Sequence, residues 1–412
     1  MKIQQLSLSS VRNLSLSIAA LLFGITALAF IIRAGYAFNA VEIDPILRRD
    51  SLFGDASGYH LLALNLMQGQ GFSWDGEMPT SYRMPGYPVF LAAVYELSGT
   101  SHLAVRLLHA VFGALLCIPV FLIALNMGGK PAAVLSSLGV AFHPVLIYMT
   151  GWIYSESLFL LLLWLGVWLT TRMLTGGGVK EAVFAGFAFG LATYVRPEIV
   201  VFPLFVFGLA FLLRWKPRQL GLMLAVQVIL GVLILPWTVR NTLVHHAFVP
   251  LTTSSGSNLY AGNNPDSQGG SAWTYPIEGV SELDSDRILG QRAREYITQN
   301  PDKIAPLMLA KVFKFFSPAE METRDSVLGR WNGLINAAYV VFLLVAAFGA
   351  IANRYQMPVI LLSALIAWYL ITALIFYGGT RVALPVVPAL VILASLGVER
   401  IRSRIQVGQL QR

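Results

Sequence analysis

The chain has 412 residues, 56% of them hydrophobic and 12% charged, whereas soluble domains carry about a quarter charged residues. That balance excludes an ordinary soluble globular protein and points to a polytopic membrane protein. A single cysteine, Cys117, excludes an intramolecular disulfide and a Cys-based zinc site, and the net charge of +8 has to be read from where it falls.

Apolar stretches at about 16–34, 104–127, 132–150, 157–174, 182–197, 199–213, 219–237, 333–352, 357–377 and 382–398 predict about ten transmembrane helices. Several are shorter than the roughly 20 residues that cross a bilayer untilted. The first has too long an apolar core for a signal peptide and no small-x-small site after it, so it reads as an uncleaved anchor. Ten spans put both termini on one side. On that side lie thirteen Lys and Arg residues, from Lys2 and Arg12 through Lys130, Arg172 and Lys180 to Arg400, Arg402, Arg404 and Arg412, against two acids, Glu181 and Glu399. The other side is net acidic. Short basic loops stay in the cytoplasm, so both termini are expected there, with loops at 35–103 and 238–332 facing outward. The surplus positive charge is thus a topology signal, with weak affinity for anionic headgroups and no bearing on nucleic acid. The expected fold class is an all-α polytopic membrane protein forming one transmembrane domain over 1–412, with interfacial helices in its first external loop.

That first loop contains the polar island Gly54–Pro88. Asp55 opens it, and Tyr59, Leu62, Ala63, Leu66 and Met67 follow at helical spacing, predicting a short amphipathic helix at the membrane surface. Gly69 and Gly71 end the pattern, and Arg83-Met84-Pro85-Gly86-Tyr87-Pro88 reads as a turn. In the second loop SSGSNLYAGNNPDSQGG is turn-rich, 282–299 reads as a helix, and 304–316, which mixes Lys311 and Lys314 with apolar residues, reads as a second interfacial helix.

Ionisable residues gather at the outer ends of the spans: Asp55 and Arg83, Glu156 in GWIYSES, Arg196 and Glu198 in VRPE, Arg240 in PWTVRN and Arg381 in FYGGTR. Charge at membrane depth is costly unless paired or wetted, so such residues line a cavity or mark the interface. One carboxylate among several guanidiniums suits transfer of a sugar from a lipid phosphate: the carboxylate takes the acceptor's proton and the arginines stabilise the departing phosphate. Each residue also has a plainer role. Asp55 is a good N-cap for a helix starting at Ala56, and Glu156 suits the start of its span. Arg83 serves equally as a headgroup anchor, and Arg240 and Arg381 as interfacial snorkellers. Gly378 and Gly379 favour Arg381 for the site, because they let the backbone open near a ligand. Arg196 and Glu198, two residues apart, do not face each other on a helix. Tyr59 and Tyr82 fit interface aromatics. His143-Pro144 predicts a kink and His245-His246 a wet loop pair, neither with metal-ligand company.

Taken in order, GDASGYHLLALNLMQGQGF, RMPGYPVFLA, AVRLLHAVFG, YSESLFLLL, VRPE, LPWTVRN, AGNNP and a final Arg-x-x-x-Pro span make the chain resemble the membrane-embedded GT-C glycosyltransferases. It is most similar to the family 39 type, which holds the protein mannosyltransferases and the lipid A aminoarabinose transferases. The resemblance implies an inverting transfer from a polyprenyl (undecaprenyl) phosphate sugar to a hydroxyl of a glycan, lipid or protein acceptor, at the periplasmic face of a bacterial inner membrane. It implies Asp55 as catalytic base, Arg83 facing the lipid phosphate and Glu156 as second acid; Tyr59, Tyr82, Arg196, Glu198, Arg240 and Arg381 complete the expected substrate-binding set. Ala56 stands where members usually carry an acid after the catalytic Asp, and no soluble C-terminal domain is read. No metal ligands are expected, although a divalent cation stays open. Two other readings are a sugar-lipid transporter or flippase, which the lack of internal repeats disfavours, and a surface polysaccharide polymerase or ligase.

Overall fold

The computed structural model describes residues 8–40, 54–272, 277–317 and 332–410. Residues 41–53 of the first expected loop, 273–276 and 318–331 of the second, and the side chains of Lys2, Arg12 and Arg412 lie outside the described residues.

A backbone in lipid must satisfy its own polar groups, and this chain does so with helices. They are α1 Leu8–Asn39, α2 Asp55–Met67, α3 Gly86–Ser98, α4 His102–Leu115, α5 Cys117–Ala141, α6 Pro144–Thr150, α7 Glu156–Leu174, α8 Val179–Val195, α9 Phe202–Leu212 and α10 Pro217–His245. After these come α11 Ser255–Gly262, α12 Glu282–Gln299, α13 Pro301–Phe315, α14 Asn332–Ala352, α15 Met357–Ile375, α16 Thr380–Ala383 and α17 Val387–Leu410. Among the described residues strand pairing is limited to one isolated bridge, Ser73–Pro79. The protein is an all-α polytopic membrane protein.

All ten apolar stretches fall on helices, yet seven segments among the described residues are long and apolar enough to cross a bilayer: Leu16–Asn39, His102–Ala141, Glu156–Leu174, Pro217–His245, Leu334–Ala352, Met357–Ile375 and Thr380–Gln406. Two expected spans land on α8 and α9, of 17 and 11 residues. Two others share His102–Ala141, whose 40 residues are about twice one crossing and which bends at Gly129 (φ 74°) ahead of Pro131. Hydropathy counts apolar residues and does not register where an axis breaks. His143 and Pro144 likewise separate two helices, with His143 as N-cap and Pro144 as first residue of α6. The expected kink is a break.

The bundle packs α8 between α7 and α10, and α17 between α5 and α14, while α1 leans on α4 and α5. Small residues permit the close approaches, as expected where lipid supplies no hydrophobic drive between helices. Gly186 and Gly190 of α8 lie one turn apart under Ile229 and Leu233 of α10, and Gly166 of α7 lies under Phe189. Leu224, Val228, Val232 and Leu235 of α10 stay exposed, which suits a lipid-facing stripe.

At one end of this bundle the chain adds its polar segments. α2 buries Tyr59, Leu62 and Ala63 as the spacing predicts, and ends at Gln68 before Gly69 (φ 71°). Gly86 lets the start of α3 dock on the end of α8, since a Cβ there would lie 2.6 Å from the Tyr194 carbonyl oxygen. α12 and α13 occupy both regions where helices were expected in the second loop, but Lys311 of α13 is fully buried and donates to Asn263 Oδ1 (2.8 Å) and the Leu374 carbonyl (2.9 Å). Nor is His245 a wet loop residue: it ends α10, with Nε2 2.9 Å from Ser81 Oγ.

A candidate active site built from ion pairs at one end of the bundle

Five helix ends converge here. Asp55 is the first residue of α2, and Gly54, in extended conformation, takes the N-cap position with no side-chain cap. The expected capping role is therefore not realised, because that position belongs to Gly54. Asp55 instead receives two arginines. Arg83 Nη1 donates to Oδ1 at 2.7 Å, and Arg381 Nη2 lies 2.8 Å from Oδ2. Burial works against ionisation of Asp55, but the Arg83 and Arg381 charges outweigh it and hold the carboxyl well below the usual carboxylate range.

Arg381 is also shared. Its Nε and Nη2 donate to Glu156 Oε1 at 2.8 and 2.5 Å, and Arg196 Nη1 donates to the same oxygen at 2.9 Å. Arg196 Nε in turn donates to Glu198 Oε1 at 2.7 Å. Two residues apart on a helix could not pair this way. The pair forms because Arg196 has left α8 in extended conformation (φ −144°, ψ 122°) and Pro197–Ile199 is a 3-10 turn. Three carboxylates and three guanidiniums thus form one neutral chain: Arg83, Asp55, Arg381, Glu156, Arg196 and Glu198.

Two adjoining cavities meet at Asp55, Arg83, Arg196 and Arg381. The larger, about 670 Å³, is walled by Trp152, Tyr154, Ser271, Lys314, Gly378 and Gly379. The other, about 430 Å³, has the more apolar wall, with Tyr59, Met84, Val195, Leu251, Tyr369 and Phe376 beside Glu198, Thr252 and Thr372. Tyr82, Ser254, Asn258 and Tyr377 line both. The Arg83 guanidinium lies 4.8 Å from the Tyr59 ring centre and 5.9 Å from that of Tyr82, so both tyrosines wall the arginine.

Two expected site residues sit elsewhere. Glu156 is 1% exposed and lines neither cavity; it braces Arg196 and Arg381 from behind. Arg240 donates to the carbonyl of Thr80 (2.6 Å) and to Ser81 Oγ (2.9 Å) and lies over the Trp237 ring at 4.8 Å. It pins the loop before Arg83 and touches neither cavity, because position along a span says nothing of which way a side chain faces. Trp152, Tyr154, Asn258, Ser254 and Tyr377 were not singled out from sequence. Trp152 and Tyr154 stood in the same GWIYSES motif as Glu156, where their every-other-residue spacing was the available signal.

The donor set does not suit a divalent cation. Both Asp55 oxygens are engaged by guanidiniums, Ala56 supplies no second carboxylate, and no group of three or more His, Cys, Asp or Glu residues is arranged to hold a metal among the described residues.

Residues 82–239 match the sequence model of the dolichyl-phosphate-mannose-protein mannosyltransferase family. No curated protein matches the sequence. Solved structures do. The chain is similar to the ArnT of Cupriavidus metallidurans bound to undecaprenyl phosphate, with TM-score 0.57 and 14% identity over 93% of this chain and 60% of that one. It is similar to the apo oligosaccharyltransferase of Archaeoglobus fulgidus, with TM-score 0.54 and 15% identity over 95% of this chain and 51% of that one. It also resembles the archaeal oligosaccharyltransferase AglB of the same organism in complex with an inhibitory peptide and a dolichol-phosphate, with TM-score 0.52 and 13% identity over the same shares. The chain spans about half to three-fifths of the length of these proteins. Its fold is that of the GT-C membrane glycosyltransferases.

Proposed function

We propose that this chain, as one transmembrane domain over residues 1–412, is an inverting glycosyltransferase that uses a polyprenyl phosphate sugar as donor. It would work at the periplasmic face of a bacterial inner membrane, with the loops at 35–103 and 238–332 on that side. The observation that carries the reading is a carboxylate, Asp55, held by two arginines where a more apolar cavity and a more polar one meet. A prenyl tail suits the apolar wall of Leu251, Val195 and Phe376, and a sugar and acceptor suit the roomier polar side. Likeness to proteins solved with undecaprenyl phosphate and dolichol-phosphate favours the same donor class.

The charges account for a single displacement. The acceptor hydroxyl gives its proton to Asp55 as its oxygen bonds to the sugar's anomeric carbon from the face opposite the phosphate. The bond from that carbon to the phosphate oxygen breaks, and its electron pair stays on the phosphate. Asp55 loses a negative charge as the phosphate gains one, so Arg83 and Arg381 turn from one anion to the other without a change in net charge. Guanidiniums suit this exchange because their fixed fork binds carboxylate and phosphate alike. Glu156 holds Arg381 in place while its other partner changes.

Purified protein is incubated with undecaprenyl phosphate sugars and envelope acceptors, and lipids and products are followed by mass spectrometry. Release of bare undecaprenyl phosphate with a glycosylated acceptor is expected. Asp55→Asn should lower turnover at least about 100-fold while donor binding persists. Full turnover in that variant would remove Asp55 as base, and a chemically unchanged donor lipid in the wild type would indicate transport.

A further inference from the structure

We propose that Trp152, backed by Tyr154, forms a platform on which the donor's sugar stacks, so that it selects the saccharide while the arginines and the more apolar cavity hold its carrier. The proposal rests on the donor reading above.

The platform arises from local geometry. Between α6 and α7 the chain is non-helical over 151–155, and burial alternates there. Ile153 is 1% exposed, pointing into the core, and Trp152 and Tyr154 share the opposite side, half-buried. Their rings are stacked, with centres 5.5 Å apart and planes 17° from parallel. The segment is pinned at its start: the Gly151 carbonyl accepts from Arg106 Nε at 2.8 Å, and a Cβ at Gly151 would lie 2.7 Å from the Tyr36 ring. Tyr154, stacked on Trp152 and itself covered by the Arg381 guanidinium, holds the indole in place, so the cavity side of Trp152 is a preformed surface, which limits the ordering cost of binding.

Position assigns that surface to the sugar. Both rings wall the larger cavity and are absent from the more apolar one. The Arg381 guanidinium lies 4.2 Å from the Tyr154 ring centre while reaching Asp55 at 2.8 Å. A phosphate on Arg381 with its prenyl tail in the more apolar cavity leaves its sugar to occupy the other side, along Trp152. A pyranose presents a face of C–H groups, which suits the electron-rich face of an aromatic ring. Its hydroxyls would meet Ser254, Asn258 and Ser271, which line the same cavity. Tyr148 and Tyr36 continue the aromatic row away from the site, the Tyr148 ring centre 5.6 Å from that of Trp152 and the Tyr36 ring centre 6.4 Å from that of Tyr148, as a membrane-interface belt does. Belt aromatics face headgroups, whereas Trp152 and Tyr154 face the cavity that holds Asp55.

The test compares two kinds of lipid on the full-length protein: undecaprenyl phosphate alone, and undecaprenyl phosphate carrying glucose, galactose or mannose, with affinities measured for wild type, Trp152→Ala and Trp152→Phe. The wild type should bind at least one sugar-bearing lipid roughly tenfold more tightly than the bare carrier, about 1.4 kcal/mol. Trp152→Ala should abolish that preference and leave bare-carrier affinity unchanged, and Trp152→Phe should restore most of it. Equal weakening toward all lipids in Trp152→Ala, or an unchanged preference, overturns the platform. A wild type that binds the bare carrier with no gain from any sugar overturns the platform alone, and one that binds no lipid of either kind overturns the donor reading together with it.

Discussion

As the proposed base Asp55 is unusual, because it rests between two cations that depress its proton affinity. Arg83 and Arg381 hold its carboxyl below the ordinary range, so the paired carboxylate stabilises the fold above that range and loses this contribution as pH falls through the lowered value. Wild-type kcat/KM should accordingly show no carboxylate limb above about pH 4. Arg83→Gln removes one of the two charges and should raise the acid limb by about 1–2 pH units, besides weakening donor use. A pH–rate profile of both proteins checks this, and an unmoved limb would dissociate Arg83 from Asp55 in solution. Gly58 belongs to the same arrangement: a Cβ there would lie 3.0 Å from Arg83 Nε, so glycine on α2 leaves room for the guanidinium over Tyr59.

The element that carries Arg381 is held by backbone contacts. Gly378 N donates to the Gly269 carbonyl at 2.8 Å, and a Cβ at Gly378 would overlap the Lys311 carbonyl of α13. Gly378 and Gly379 line the larger cavity, but the demand on Gly378 is close packing on α13. Buried Lys311 joins the same region by bonding Asn263 Oδ1 and the Leu374 carbonyl, with burial lowering its pKa to about 8. Gly378→Ala should therefore cost about 1–3 kcal/mol and reduce turnover by displacing Arg381, which thermal unfolding and donor-transfer assays would measure together. Unaltered stability and rate would show that α13 can give way. The RMPGYP turn obeys a similar constraint, since Gly86 must fit against Tyr194 for Arg83 and Arg196 to share one wall.

Across the whole molecule, the proposed orientation rests on the distribution of Lys and Arg. Asp55, Glu156, Arg196 and Arg381 share the end opposite the basic loop that contains Lys180, and α12 lies on the site side through Glu282, which accepts from Ser81 N at 2.9 Å. Cys117 is buried, so a Cys117→Ser background suits cysteine labelling. Val280→Cys should react with a membrane-impermeant maleimide in right-side-out vesicles, and Lys180→Cys in inverted ones. The reverse pattern would turn the site toward the cytoplasm.

Composition and apolar spacing determined the class, the helical content and the end of the bundle that bears charge, because desolvating a charge or an unpaired backbone group in lipid is so costly that sequence has to record it. That Asp55, Arg83 and Arg381 gather at one end of the bundle was legible for that reason. Directions around each helix, and partners distant in sequence, were decided by packing. Tertiary structure turned Arg240 toward the Thr80 loop, withdrew Glu156 behind two arginines, and let Arg196 meet Glu198 by ending α8 at Val195. It also brought Trp152 and Tyr154 beside Arg381, more than 220 residues onward in the chain. Gly54–Pro88 thus displayed the ingredients of a site, but the two arginines that close on Asp55 meet only when α2 and the turn before α17 fold to the same place, because side-chain pairing depends on three-dimensional proximity that a one-dimensional pattern does not contain.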